Sequence, residues 1–376
     1  MIDRGLRLIW WSDTYWPSIG GIEVLGEQLL RRLVQRGIDV VVVTSCHADV
    51  AAAVESRDGV EVHRFPFHEA LTTRKSDLWG SIASDVRALE ERFNPDVIHV
   101  NLPAPSTIFH MLTAKSSRAR TVASIQTEFP QSATGSTSLT SRMLLESAWT
   151  TANSRAMLNA ALAIAPGIVD RSSVIYNGLL EPATESSPLN FDPPVIACVA
   201  RLVHKKGIDI ALHAFAVIRK ARPRARLIVA GDGPELETLC GLASELGLAE
   251  AVEFRGWVAP TAIAKIMNEA SQVWVPSRRT EPFGNVTVEA MQMGRPVIVT
   301  DLGGLPEVVE DGVSGVVIPP EDPAALAEAS LALFNDVARA RLMGAAGKKR
   351  AYEMFSLERY ASDYENLYRH LAADHQ

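Results

Sequence analysis

The segment LRLIWWSDTYWPSIGGIEVLGEQLLRRLVQRGIDVVVVT, Leu6 to Thr44, decides the fold. It opens on an apolar run, Leu6–Trp11, that reads as a buried strand. A loop, Ser12–Gly21, follows. From Ile22 to Arg36 the apolar residues Val24, Leu25, Leu29, Leu30 and Leu33 recur at helical spacing. Gly37 ends that helix, and Val40–Thr44 is a second apolar run. Strand, helix, strand is the unit of a parallel sheet, because parallel neighbours need a crossover connection.

The same alternation continues outward. Short apolar strands are expected at Val60–Phe65, Val97–Val100 and Thr121–Ile125, with helical segments between them. Residues 181–194 read EPATESSPLNFDPP, rich in Pro, Ser and acid and without periodicity. That composition predicts an interdomain linker. Strands then recur at Val195–Ala200, Leu227–Ala230, Val252–Arg255, Gln272–Val275, Pro296–Thr300 and Gly315–Ile318. Helices are expected at Ile208–Lys220, Glu235–Leu246, Val286–Met293, Pro323–Phe334, Val337–Tyr352 and Leu357–Leu371. The expected fold is α/β: two Rossmann-like, doubly wound domains facing across a cleft. The first spans 1–185 and the second 186–356.

Composition agrees with this. A chain of 376 residues with 47% apolar content suits two domains with full cores. A formal charge of -7 argues against a general nucleic-acid partner. Cys46, Cys198 and Cys240 are far apart, in apolar contexts and without a C-x-x-C pattern, so neither a disulfide framework nor a metal site is suggested. No secretory signal and no apolar run near 20 residues is visible, which points to the cytoplasm.

Four motifs carry chemistry. Pro17-Ser18-Ile19-Gly20-Gly21 lies between a strand and a helix, where glycines permit positive φ and close approach, and the helix start attracts anions. Arg201-Leu202-Val203-His204-Lys205-Lys206-Gly207 follows the first strand of the second domain; Arg201 and Lys206 suit phosphate oxygens. Gly231-Asp232-Gly233-Pro234 follows another strand. Finally, Glu281-Pro282-Phe283-Gly284-Asn285-Val286-Thr287-Val288-Glu289 places a loop ahead of a helix. The amides of Phe283, Gly284, Asn285 and Val286 then point out of a helix start, with Glu281 in the loop and Glu289 one turn inside. A retaining hydrolase pair needs carboxyls about 5–5.5 Å apart. Eight helical steps give roughly 12 Å, so the two glutamates are expected to accept hydrogen bonds from sugar hydroxyls instead. Taken singly, each motif also fits a plain turn, a solvated loop or an exposed carboxylate; jointly they describe a site for a diphosphate linked to a polyol.

This set resembles the retaining glycosyltransferases of family four, which have the GT-B fold. Gly20-Gly21, Arg201 with Lys206-Gly207, Gly231-Asp232-Gly233-Pro234 and Glu281-x7-Glu289 occur in the family's order. Asn177-Gly178 and Gly303-Gly304-Leu305-Pro306-Glu307 match further habitual stretches. The resemblance implies that Arg201 and Lys206 hold the donor diphosphate, Glu281 the sugar hydroxyls and Glu289 the ribose. It implies that Gly20, Gly21 and Gly231 approach the donor and that Trp257 and Val258 lie near the base. It also implies that the last helix, about 357–376, packs back on the first domain. The reaction would transfer a hexosyl group with retention, without metal or other cofactor, and the leaving phosphate would take the acceptor proton. A UDP-sugar is expected in preference to a GDP-sugar. The acceptor, a small molecule, glycan or glycolipid, would be selected by the loops Asn101–Thr107 and Phe129–Leu139.

One departure stands out. Where the family usually carries a His, this chain has Gln126, and a second habitual His is replaced by Asn101. Gln126 offers hydrogen bonds but carries no proton. Two other functions therefore stay open: a non-catalytic nucleotide-sugar-binding subunit, and an epimerase or phosphorylase on the same architecture. His99 and His204 read as structural and solvated residues. Arg31, Arg32 and Arg36 on one helix are ordinarily a solvated face, with weak contact to a membrane surface as the alternative.

Overall fold

A computed structural model of the protein describes residues 5–17, 20–46, 54–113, 118–130, 135 and 138–373. It divides into two compact units: Met1–Gly178 with Leu357–Gln376, and Leu179–Ser356. Sequence reading put the boundary at 185/186. Residues 179–185 group with the second unit instead, because Leu179 donates its N–H to Phe355 O at 2.8 Å and forms a bridge with Ser356.

The first unit holds an eight-stranded sheet. Its strands are β1 (Arg7–Trp11), β2 (Asp39–Ser45), β3 (Val54–Arg57), β4 (Val60–Phe65), β5 (Val97–Leu102), β6 (Arg120–Ile125), β7 (Trp149–Ala152) and β8 (Ser172–Val174). The order across the sheet is β3-β4-β2-β1-β5-β6-β7-β8. Every pairing is parallel except β3–β4. The helices are α1 (Gly21–Gln35), α2 (Phe67–Thr73), α3 (Ser76–Phe93), α4 (Thr107–Thr113), α5 (Leu139–Glu146) and α6 (Arg155–Ile164). Two apolar clusters result, one on each face of the sheet, as a parallel sheet requires.

The second unit has six parallel strands: β9 (Val195–Val199), β10 (Arg226–Ala230), β11 (Val252–Phe254), β12 (Gln272–Val275), β13 (Val297–Thr300) and β14 (Val316–Ile318). Their order is β11-β10-β9-β12-β13-β14. Around them run α7 (Ile208–Ala221), α8 (Leu236–Glu245), α9 (Ile263–Glu269), α10 (Asn285–Gln292), α11 (Leu305–Val308), α12 (Pro323–Asn335) and α13 (Val337–Met354). Both units are therefore doubly wound α/β sheets.

The last helix, α14 (Leu357–Ala373), belongs to the first unit. Its buried residues Leu357, Tyr360, Ala361, Tyr364, Tyr368 and Leu371 lie on one helical stripe. Their phenols meet a polar layer of the sheet. Tyr368 Oη is 2.7 Å from His99 Nδ1, and Tyr364 Oη lies 3.1 Å from Ser124 Oγ and 3.2 Å from Thr151 Oγ1. His99 is fully buried and stacked on Trp10, and burial pushes its pKa down to about 3. It is a neutral core residue.

Arg31 and Arg32 of α1 and Arg36 at its C-cap are all in ion pairs. Arg31 meets Glu27 and Asp58, Arg32 meets Glu358, and Arg36 meets Glu358 and Glu365. No helix among the described residues is long and apolar enough to cross a membrane.

Candidate active site

In open α/β sheets, ligands bind beyond the carboxyl ends of the strands, where the strand order reverses. In the second unit that switch point lies between β9 and β12, because β10 and β12 flank β9. The segment after β9 carries Arg201 and Lys206, and the segment after β12 carries Glu281. They meet there: Lys206 Nζ donates to Glu281 Oε2 at 2.6 Å, and Ser277 Oγ donates to the same oxygen at 3.1 Å. Both charged side chains are mostly enclosed, 21% and 15% exposed.

Neighbouring loops are tied to this pair. Arg278 donates to both oxygens of Asp209, at 3.1 and 2.6 Å, and to His204 O at 2.9 Å. That fork pins the turn that bears Lys206. Burial works to raise the Asp209 carboxyl, but the guanidinium outweighs it and holds the group below its ordinary value. Sequence reading missed Arg278, since nothing local marks its partner 69 residues away. His204 is exposed, as expected.

The Gly231 segment is stitched in from the other side. Leu202 N donates to Asp232 O at 2.8 Å, and Gly231 N donates to Gly256 O at 2.7 Å. Gly231 has φ +140, and a Cβ there would lie 1.8 Å from Ala200 O. The loop following Gly256 carries Trp257, 61% exposed, and the half-buried Val258. Arg201 is exposed, and its side chain has no partner among the described residues. Arg201, Lys206, Gly231, Val258 and Glu281 therefore all sit on loops at one end of one sheet.

Helix α10 begins at Asn285, after Gly284 at its N-cap, one residue earlier than expected. No side chain caps this start and no acid lies in its first turn, so its positive end is not already neutralised by its own side chains. Phe283 is buried against Phe355. Gly303 holds the Glu281 segment from behind. At φ +59, a Cβ on it would lie 2.2 Å from Glu281 O, which also accepts from Gly304 N at 2.8 Å. Val286 is half-buried on the first turn.

Glu289 lies inside α10 with Oε2 enclosed and unpaired, and burial pushes its carboxyl up to about 7. The native state thus binds this proton more tightly than the unfolded chain, whose carboxyl titrates near 4.5. The associated stability is complete below about 4.5 and is lost as pH rises through 7. Glu289→Gln should therefore raise the unfolding free energy at pH 8 by on the order of 3 kcal/mol, read as a higher melting temperature, and leave it unchanged at pH 4.5. Equal shifts at both pH values would contradict the burial of a charge there.

The first unit shows two differences from expectation. Gly20 is extended, at φ -146, and Gly21 opens α1, so neither needs a positive φ. A Cβ at Gly20 would lie 2.3 Å from Glu23 Oε2, the far end of a side chain that can turn aside. Thr14 Oγ1 donates to the same carboxylate at 2.6 Å. An acid of the chain itself thus occupies the start of α1. Ser18 and Ile19 of that motif, and much of the Phe129–Leu139 loop, lie outside the described residues. Gln126 is 5% exposed, and its Nε2 donates to Ser124 Oγ at 2.9 Å, within the layer that meets α14. Its enclosed Oε1 has no hydrogen-bond partner. Asn101 Nδ2 donates to Trp11 O at 3.2 Å, which makes it a brace between strands.

Two Rossmann-like units, each built on a mainly parallel sheet, are the architecture of the GT-B fold. Comparison with known proteins agrees. Residues 19–179 match the model for Glycosyltransferase Family 4, and residues 181–350 that for Glycosyl transferases group 1. The chain belongs to this family of glycosyltransferases. It is similar to N-acetyl-alpha-D-glucosaminyl L-malate synthase of Bacillus anthracis, 27% identical over 94% of this chain and 95% of that one. It is also similar to the GDP-mannose-dependent alpha-(1-6)-phosphatidylinositol monomannoside mannosyltransferase of Mycolicibacterium smegmatis, 36% identical over 43% of this chain and 44% of that one. With the mannosyltransferase and one further relative, the chain spans about half of the relative's length. Among solved structures, Anabaena HepE in complex with UDP and glucose superposes with a TM-score of 0.77 at 21% identity, covering 96% of this chain and 99% of that one.

Proposed function

We propose that the protein transfers a hexosyl group from a nucleoside diphosphate sugar to an acceptor hydroxyl, with retention of configuration and without a metal ion. The observation that carries this reading is the Lys206–Glu281 pair at the second unit's switch point, beside the uncapped start of α10. Lys206 and Arg201 neutralise the diphosphate as it departs, and charge-assisted bonds that tighten on departure lower the barrier. Glu281, held in place by Ser277 and Lys206, accepts from donor sugar hydroxyls. Glu289 accepts from the ribose, and the amides at the head of α10 receive phosphate or sugar oxygens. The amide at Gly231 and the side of Val258 border the nucleoside.

UDP-sugar is the donor favoured here, in keeping with the nucleotide named for HepE. The mycobacterial relative uses GDP-mannose, so GDP is the competing arm of the test. Thermal unfolding is measured with UDP, GDP and their sugars; binding to the native state alone raises the midpoint by mass action. A clear upward shift with a uridine nucleotide is expected. No shift with any nucleoside diphosphate would overturn the reading. A nucleotide-sugar-binding subunit is the second reading, motivated by Gln126, which cannot carry a proton where the family usually has a His. Donor binding without transfer or donor hydrolysis would favour it.

A further inference from the structure

Helix α11 is the back wall of the Glu281–Gly284 loop. Gly304 N, at its N-cap, donates to Glu281 O at 2.8 Å. Leu305 is fully buried against the loop, since a Cβ on Gly284 would lie 2.5 Å from Leu305 Cδ2. The second support is Phe355, also fully buried, whose ring meets Phe283 edge to face at 5.5 Å. A four-residue helix has little stability of its own, so α11 must be held at its far end. Arg350 of α13 holds it. Its Nε donates to Val308 O at 2.8 Å and its Nη2 to Glu307 O at 2.9 Å. These are the last two carbonyls of α11, where the helix dipole favours a cation. The same guanidinium lies over the Phe355 ring, 5.7 Å from its centre, within cation–π range. Glu310 is 3.9 Å away and largely exposed, so the carbonyls and the ring are the contacts that fix this side chain.

We infer that Arg350 is a positioning residue for the donor site: one guanidinium fixes both supports of the loop that bears Glu281 and the amides at the head of α10. Removing it frees the carboxyl end of α11 and one face of Phe355 together, so the loop loses both walls at once. The role needs a planar fork that reaches two carbonyls while its face lies over a ring, a geometry particular to arginine. Arg350 acts through α11 and Phe355 and not on the substrate. A loosened loop carries the Glu281 carboxylate away from Lys206 Nζ, now 2.6 Å from it, and a displacement of about 1 Å in a preorganised site is costly. The word donor rests on the transferase reading; the support of the loop stands apart from it.

Arg350→Met keeps the apolar stem and removes the fork, while Arg350→Lys keeps the charge. Amide hydrogen exchange is followed by mass spectrometry on peptides spanning 281–286 and 303–309, with the core strands β9 and β10 as the measure of global opening. In Arg350→Met the first two segments should exchange about tenfold faster while β9 and β10 keep their native rate. Arg350→Lys, which reaches one carbonyl at most, should fall between. Affinities for UDP and for GDP are titrated on the same proteins. Whichever nucleotide binds the native chain should bind Arg350→Met roughly tenfold more weakly, with the lysine variant recovering part of the loss. Faster exchange confined to 303–309 would make Arg350 a cap of α11 alone, and equal acceleration of β9 and β10 would make it a general stabiliser; either result overturns the inference. Unchanged nucleotide affinity with a loosened loop does the same. A native protein that binds neither nucleotide removes the transferase reading, and the support of the loop then stands or falls by the exchange of 281–286.

Discussion

Lys206→Ala lowers the rate of sugar transfer by roughly two to three orders of magnitude, the cost usual for one preorganised charge at a departing anion. Lys206 acts twice at one place. Under the proposed function it meets the leaving diphosphate, and at 2.6 Å it fixes the Glu281 carboxylate assigned to the donor hydroxyls. Removing it leaves Glu281, 15% exposed, with Ser277 alone as a partner, and an enclosed carboxylate that has lost its cation repels phosphate. The loss should fall on kcat as well as on nucleotide affinity, because the charge on the leaving group grows along the reaction. The check is a steady-state comparison with Glu281→Gln and with the double variant. The two changes should combine to much less than the product of their single effects, since both dismantle one contact. Activity of the Lys206 variant within fivefold of the native protein would sink the site assignment.

Gly231→Ala destabilises the second unit by on the order of 3 kcal/mol or more, through overpacking and backbone strain together. The added Cβ would lie 1.8 Å from Ala200 O, a backbone atom that no rotamer change can move aside. The residue also sits at φ +140, where an L side chain is strained. Relief requires Ala200 to shift, and with it Arg201, the next residue. Lowered stability should therefore come with weakened nucleotide binding even at temperatures where the unit is folded. Gly241→Ala is the control: it lies on helix α8, a Cβ there meets nothing within 4 Å, and it should hold or raise stability. Chemical denaturation and nucleotide titration of both variants decide the matter. A Gly231 variant as stable as the native chain would mean that this turn is not the rigid wall described.

Much of the fold was legible because continuous apolar runs and helical stripes carry it. Val60–Phe65 was read to the residue, and the stripe of α1 names four of its five buried positions. Three strands were not foreseen. β3 alternates exposed and half-exposed residues, with Glu55 and Arg57 on it, and follows the sheet edge antiparallel. β7 and β8 are short and rich in Thr and Ser, whose hydroxyls look like loop chemistry; in the fold Thr151 meets Tyr364 of α14 and Ser173 accepts from Trp149 Nε1. In the site, Lys206 and Glu281 were legible as residue types beside glycines, but their ion pair was not, since 75 residues separate them. The hold of Arg350 on α11 was invisible for the same reason, since Val308 and Glu307 lie 42 and 43 residues before it.

The return of α14 to the first unit has a consequence for how the chain is made. Tyr360, Tyr364 and Tyr368 are fully enclosed in that unit's core, yet they leave a ribosome only after the whole second unit. During synthesis the second unit, 179–356, is complete and able to close while the first still lacks one of its walls. The sheet that is translated first is therefore finished last. Until then its face around Leu25, Leu29 and Val122 is open to water. A chain stopped before Leu357 would keep a whole second unit and a first unit prone to aggregate, so a truncation that falls after the second unit would act on the first.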